Sequence, residues 1–300
     1  MSRYRLSVIV VAYNMARELP RTIRSLSPQM QRRLSADDYE ILVVDNGSSP
    51  PFDERTCTGW GANIRTLTIR KPRMSPASAI NEAIAQARGE LIGVMIDGAR
   101  MATPGLLANA LSAANLCVRP VIASFGFHLG PEVQMQSVAK GYNQSIEDDL
   151  LESAHWYEDG YRLFDIGVFA GSSAAGWFQP VSESNALFLH APLWRELRGF
   201  DEGFASAGGG LVNLDTYVRA CELPASQLIV LLGEGTFHQV HGGVATNARE
   251  SPWQVFHDEY VRLRGKNFAH PTAPAWYFGQ MPPQALKSVE TSAQIAANRR

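Results

Sequence analysis

A chain of 300 residues with 45% hydrophobic and 19% charged side chains can bury a sizeable core, which excludes a disordered or fibrous protein. With 27 Lys and Arg against 29 Asp and Glu, the formal net charge is −2, so no global charge draws it to nucleic acid or to an anionic membrane. No apolar run approaches the roughly 18 residues of a membrane span, and residues 1–5 lead into a β-branched run rather than a signal-peptide core.

Residues 6–12 read as a buried strand, followed by Leu19, Ile23 and Leu26 at helical spacing. Residues 41–44 and 64–69 give two further strands. Ala77, Ile80, Ile84 and Ala87 mark one face of a helix for which Gly89 is the expected C-cap. A fourth strand covers 91–96. Thr103-Pro104 reads as a cap followed by proline at the first helical position, opening a helix that carries Leu107, Ala110, Leu111 and Ala114. Residues 121–125 form a fifth strand. This alternation predicts an α/β fold, a doubly wound and mostly parallel sheet with helices on both faces. Ligands bind such sheets beyond the carboxyl ends of the strands. Tyr13-Asn14, Asp45-Asn46-Gly47-Ser48 and Asp97-Gly98 all fall there.

Beyond residue 126 the alternation breaks down. Residues 141–156 suggest an acidic helix whose Glu147 face is solvated, and 160–180 read as long loops. A strand at 186–189, a short helix at 214–221, two strands at 228–232 and 236–240, and a helix at 253–263 follow. The segment from 271 onward is expected to be loosely attached. Cys57, Cys117 and Cys221 are too scattered for a disulfide frame or a thiolate zinc site, so a cytoplasmic location is expected.

Neither G-x-G-x-x-G after the first strand nor G-x-x-x-x-G-K-[ST] occurs, and G-x-S-x-G is absent too. What remains is a set of carboxylates and amides at strand ends. With LSVIVVAYN at 6–14, ILVVDNGS at 41–48, AIAQARGELIGVMID at 83–97, SNALF at 184–188 and GFDEGF at 199–204, the chain resembles a family 2 glycosyltransferase of the GT-A fold. The resemblance covers most of residues 5–245. It implies one domain over 1–265, with a nucleotide-binding half at 1–125 and an acceptor half at 126–265, and a tail at 266–300.

The resemblance also implies roles. Asp45 either accepts the imide N–H of uracil or caps its own turn. Ala12 and Tyr13 would line the base pocket, and Asn14 either caps the next helix or contacts the nucleotide. Asp97 and Gly98 match the start of the family's D-x-D motif, which holds a divalent cation against the sugar-nucleotide diphosphate. The second aspartate is replaced by Ala99, so either Asp97 coordinates the metal with another ligand, or Arg100 partly substitutes for it, or Asp97 is a solvated residue bonded to the ribose. His238-Gln-Val-His241 is the obvious source of that ligand; on a strand end or loop the two rings would diverge, so one imidazole, His241, is the expected ligand, the alternative being a histidine hydrogen-bonded inside the fold. Asn213 stands where the family's general base belongs. The candidate base is therefore Asp215, the alternative being an i, i+4 ion pair with Arg219. Glu183 and Asn185 precede a strand facing the expected sugar pocket. Asp201 and Glu202 lie either in an acceptor-side loop or in a solvated turn, and Trp156, Trp177 and Trp194 either stack on sugars or fill the core.

The implied function is transfer of a sugar from a nucleotide-sugar donor, a UDP-sugar by preference, to a glycan or other hydroxyl acceptor, with inversion and with Mn2+ or Mg2+ as cofactor. The alternatives are a catalytically inactive sugar-nucleotide or glycan-binding module and, last, a nucleotidyltransferase. No nucleic-acid partner and no transmembrane segment are expected.

Overall fold

The computed structural model describes residues 4–61, 63–243 and 252–298. Its first half runs β1 (Tyr4–Ala12), α1 (Glu18–Ser25), β2 (Tyr39–Asp45), β3 (Ile64–Thr68), α2 (Ala77–Gln86), β4 (Gly89–Met95), β5 (Arg100–Ala102), α3 (Leu106–Ala113) and β6 (Pro120–Leu129). Next come α4 (Gln134–Ala139), α5 (Gln144–Ala154), β7 (Gly167–Phe169), β8 (Ala186–His190), α6 (Ala191–Leu197) and α7 (Val212–Cys221). The chain ends with β9 (Gln227–His238), α8 (Trp253–Arg264), β10 (Ala275–Gly279) and α9 (Leu286–Ala297). One sheet has the order β10-β9-β6-β8-β4-β1-β2-β3, with β5 on β9 and β7 on β6.

Strand direction places the chemistry. β1, β2, β3 and β4 are mutually parallel, and β8 is antiparallel to both β4 and β6. Hence β6, with its parallel neighbour β9, again runs the same way as β1 and β4. The carboxyl ends of β1, β2, β4, β6 and β9 therefore share one edge of the sheet. The amino end of the reversed β8 lies there too.

The sheet is buried on both faces, which is why its strands read as continuous apolar runs. Leu6, Val8 and Val10 pack with Leu19 and Ile23 of α1 and Leu107 and Ala110 of α3. On the other face, Ile9 and Val11 share a core with Ile80, Trp194, Tyr217 and a group of aromatics. In that group Phe127 stacks on Phe169 and Phe237, with centroids 4.8 Å apart in both pairs. Fully burying each such side chain is worth about 1.5–3 kcal/mol.

Several expectations need correction. Gly89 is not a C-cap; it opens β4, where a Cβ would lie 2.3 Å from the backbone nitrogen of Ser7. The Thr103 hydroxyl does not cap α3 but donates to the buried Glu234, and Gly105 takes the capping position. The two strands expected at 228–240 are one continuous β9, and the loops expected at 160–180 contain β7 and buried aromatics. Trp156, Trp177 and Trp194 are all core, with Trp194 donating its indole N–H to the Ile92 carbonyl at 3.0 Å. The segment from 271 onward is not loosely attached: β10 extends the sheet on β9, and the backbone N–H of Trp177 donates to Ser292 of α9 at 3.1 Å. Glu147, expected on a solvated face, is completely buried.

Candidate active site

Asp97 follows β4, His238 closes β9, and His241 comes three residues later. The Nε2 of His238 lies 2.8 Å from Asp97 Oδ2 and the Nε2 of His241 3.3 Å from the same atom, with 3.1 Å between the two nitrogens. The rings do not diverge as expected. Past the strand end, Gln239 donates its N–H to the Ala99 carbonyl at 2.8 Å and Val240 donates to Glu147, which turns the chain so that His241 faces back toward His238. His238 is the ligand candidate that sequence reasoning set aside. Its signal was the H-x-x-H spacing itself, and the error was to extend strand geometry past the last strand residue.

A second layer orients these groups. Gln134, at the start of α4, presents Oε1 to His238 Nδ1. An Nδ1–H donated there turns the Nε2 lone pair toward Asp97 and His241. Burial pulls the His238 pKa down to about 4 despite the opposing charge of Asp97, so the ring is neutral at pH 7. Burial also acts on Asp97, upward, but the imidazoles of His241 and His238 outweigh it and hold the carboxyl well below its usual range. For His241, burial works downward and Asp97 overcomes it, leaving the pKa raised. Two imidazole nitrogens and a carboxylate oxygen this close repel one another unless a positive charge lies among them. A proton on His241 meets that need, and so does a divalent cation. Among the described residues these three side chains form a group whose ligand atoms all lie within 4.8 Å of one another. The donor set therefore fits a metal.

Arg100 opens β5, and its pairing with β9 sets it opposite His238. It is buried, and its Nε and Nη1 have no hydrogen-bond partner among the described residues. Burial lowers the guanidinium's pKa, against the opposing charges of Asp97 and Glu183. An unsatisfied buried cation is costly alone and suits an anionic ligand. Asn185 lies beside it, both side chains approaching Gly126, where a Cβ would lie 2.8 Å from the Asn185 amide nitrogen. Asn213, in the first turn of α7, donates to Glu183 Oε2 at 2.9 Å and to the Ser184 carbonyl at 3.2 Å.

The remaining positions build the neighbouring loops. Asp45 accepts the N–H of Ser48 on one oxygen at 2.7 Å and that of Phe52 on the other at 2.9 Å, so it shapes its own turn. Asn14 does not cap α1, which begins at Glu18. Its backbone N–H donates to the Ser48 hydroxyl, and its Oδ1 accepts the Ser49 N–H, which joins the β1 and β2 loops. Tyr13 is exposed beside them, whereas Ala12 is buried. Gly98 permits a close approach, since a Cβ there would lie 2.9 Å from the Val11 carbonyl oxygen. Ala99 is buried and can ligate nothing with its methyl group; its N–H donates to Asp97 Oδ1 at 2.9 Å.

Asp215, the candidate base, has its carboxylate engaged by two arginines. Buried in α7, it accepts Arg219 Nε at 2.7 Å and both Nε and Nη2 of Arg264, so each carboxylate oxygen is held by a guanidinium. Of the two readings of Asp215 and Arg219, the structure contains the ion pair. Asp201 also pairs with Arg264, at 2.7 Å, and Glu202 with Arg73 at 3.3 Å.

Residues 7–112 match the family model described as Glycosyl transferase family 2. Over 230 residues the chain is 24% identical to the validoxylamine A glucosyltransferase of Streptomyces hygroscopicus subsp. jinggangensis (strain 5008). That match takes in 73% of this chain and 52% of the relative, so the chain spans about half the length of that curated protein. Among solved structures, S. aureus TarS 1–349 in complex with UDP-GlcNAc superposes with a TM-score of 0.51 at 16% identity, over 97% of this chain and 71% of that one. The mannosyltransferase PcManGT from Pyrobaculum calidifontis, in complex with GDP-Man and Mn2+, gives 0.50 at 17% identity, over 98% and 70%. These likenesses extend through both halves of the sheet, and among the described residues no helix is long and apolar enough to cross a membrane. Residues 7–112 are thus similar to glycosyl transferase family 2, and the chain that carries them has the GT-A fold.

Proposed function

We propose that this chain transfers a sugar from a nucleotide-sugar donor to a hydroxyl acceptor in a single inverting displacement. The observation that carries the reading is the convergence of Asp97, His238 and His241 beside Arg100, whose Nε and Nη1 have no partner among the described residues, at the ligand-binding edge of a GT-A sheet. Asp97, His238 and His241 would hold a divalent cation, and their mixed donors favour a transition ion such as Mn2+ over Mg2+, which prefers oxygen ligands. Such an ion supplies positive charge to a departing diphosphate. Arg100 adds a fixed guanidinium for the same phosphates, a preorganised charge in a dry setting. The two histidines replace what Ala99 cannot provide. Tyr13, Ala12 and the Asp45 turn form the wall for the nucleobase; the exposed Tyr13 ring is suited to stacking, and Asp45 has lone pairs beyond the two that its loop uses. Gly98 and Asn185 complete the donor side.

Uridine is the donor base we favour, and calorimetric titration of UDP and GDP with and without Mn2+ tests it. UDP binding that requires Mn2+ supports the full site. UDP binding without Mn2+ keeps the donor reading and gives the phosphates to Arg100. GDP binding with no UDP binding replaces the base, and failure of both nucleotides overturns the donor reading. A second reading, an inactive binding module of the same fold, is favoured by Asn213 and by the ion-paired Asp215. Release of nucleoside diphosphate from a nucleotide sugar excludes it.

A further inference from the structure

We propose that Glu183 is the carboxylate that takes the proton from the acceptor hydroxyl, an assignment that rests on the glycosyl-transfer reading above. Glu183 lies three residues before β8, the reversed strand whose amino end shares an edge with Asp97 and His238. The Asn213 amide donates to its Oε2, which fixes the side chain against α7. No described residue hydrogen-bonds to Oε1. The other carboxylates of this region are committed elsewhere. Asp97 is enclosed by two imidazoles, Asp215 by two guanidiniums, Asp45 by two backbone N–H groups, and Glu147 by Val240 and Arg17. Glu183 alone among them is both partly exposed and left with an oxygen free.

Its placement suits the reaction. Arg100 and Asn185 both approach Gly126, and Asn185 lies two residues beyond Glu183, which sets the carboxylate in the neighbourhood of the group expected to meet the phosphates. In the displacement, the acceptor O–H bond breaks and its proton passes to Glu183 Oε1 as the acceptor oxygen bonds to the anomeric carbon. The bond from that carbon to the diphosphate oxygen breaks, and its electron pair leaves with the nucleoside diphosphate. Asn213 cannot accept the proton, but it holds the group that does.

The test follows nucleoside diphosphate release from UDP-glucose, UDP-GlcNAc and GDP-mannose with Mn2+, water serving as acceptor. For whichever donor the wild type turns over, Glu183→Gln should lower kcat by about 10²–10⁴-fold and leave the donor KM within about twofold. Two recoveries are expected: formate added to Glu183→Ala, and Asn213→Asp introduced into Glu183→Gln, which moves the carboxylate to the adjoining side chain. Recovery by either route supports the assignment even where the single variant melts early. An unchanged kcat, a loss carried by KM alone, or a loss that neither route recovers overturns it. Wild-type protein that turns over a donor while Glu183→Gln does equally well removes this assignment alone. A wild type that turns over none of the three removes the transfer reading and this assignment with it.

Discussion

The carboxylate of Glu147 accepts the backbone N–H of Val240 at 2.8 Å, which ties the middle of the chain to the residue immediately before His241. Arg17 completes the tie: it bonds Glu147, the Val240 carbonyl at 3.3 Å and Asp148 at 2.6 Å, and so clamps α1, α5 and the histidine turn together. Burial raises the Glu147 pKa, against the pull of the Val240 N–H and the Arg17 charge. Glu147→Ala leaves the buried Val240 N–H without its partner and takes one of three carboxylates from Arg17, which keeps Glu18 and Asp148, a loss of about 1–3 kcal/mol in denaturant unfolding. It should also weaken Mn2+ binding, because no other described residue fixes the Val240 amide. Glu147→Gln keeps an acceptor for that amide and should bind Mn2+ within a few-fold of wild type. Equal Mn2+ affinity in all three proteins, by calorimetry, would remove the positioning role.

Gln134 acts on the site from the opposite side. Its Oε1 faces His238 Nδ1, while the N–H of the same residue donates to Nδ1 of His128 at 2.8 Å. His128 is thereby an acceptor, and burial, with His238 and Arg100 nearby, keeps its pKa well below the usual histidine range. Removing a partner that orients a ligating imidazole typically costs about 10–100-fold in metal affinity. Gln134→Ala should show that loss in a Mn2+ titration, alongside a stability loss of about 1–3 kcal/mol from the stranded His238 Nδ1–H. An unaltered Mn2+ dissociation constant would mean that His238 needs no such orientation, or that it is not a ligand.

For Asp215 the ion pairs lead to an expectation opposite to the one its sequence position suggests. A general base replaced by its amide loses turnover and keeps stability. A carboxylate held by Arg219 and Arg264 does the reverse when it is removed, since Arg219 loses its carboxylate and Arg264 keeps only Asp201. Asp215→Ala should destabilise the protein by about 3–5 kcal/mol. Asp215→Asn should lower the melting temperature and retain diphosphate release at moderate temperature. Loss of kcat by more than about a hundredfold in a folded Asp215→Asn protein would restore the base role.

The first half of the fold was legible because its signals are local. β1, β2 and β4 are continuous apolar runs, and parallel order follows from the intervening helices. The second half is held together over long sequence distances that no window captures. Glu147 looks like one more acid on a polar helix until the partner 93 residues away is seen. Trp177 and Phe237 sit in one aromatic core though 60 positions apart, and β10 is a strand only because β9 offers it an edge. The site divides in the same way. Asp97, Arg100 and His241 were legible from strand-end position and residue type, and their meeting is a property of the sheet. His238 and Glu183 depend on how the chain turns after β9 and before β8, and Asp215 on a guanidinium 49 residues away.

Glu234 gives the fold a pH dependence independent of the proposed chemistry. Buried in β9, its carboxyl accepts Tyr161 OH at 2.8 Å, Asn109 Nδ2 at 2.9 Å and the Thr103 hydroxyl. Burial is the dominant influence and lifts its pKa from 4.5 to about 7, the hydrogen bonds from Thr103 and Tyr161 only partly opposing it. A raised folded-state pKa means that the native protein binds the proton more tightly than the unfolded chain. Stability from this group is therefore complete below about pH 4.5 and is lost as pH rises through about 7. The full shift corresponds to about 3 kcal/mol at ~1.4 kcal/mol per unit. Glu234→Gln carries no proton to lose, can accept Tyr161 and Asn109 on its Oε1, and lets the Thr103 hydroxyl turn to the Gly235 carbonyl 3.3 Å away. Urea unfolding from pH 5 to pH 8 should show wild-type stability falling relative to the variant, the gap changing by about 2.5 kcal/mol in favour of Glu234→Gln, most of the full shift. Parallel profiles for the two proteins would place the Glu234 pKa at its ordinary value and the carboxylate, ionised throughout, within a network that accommodates the charge.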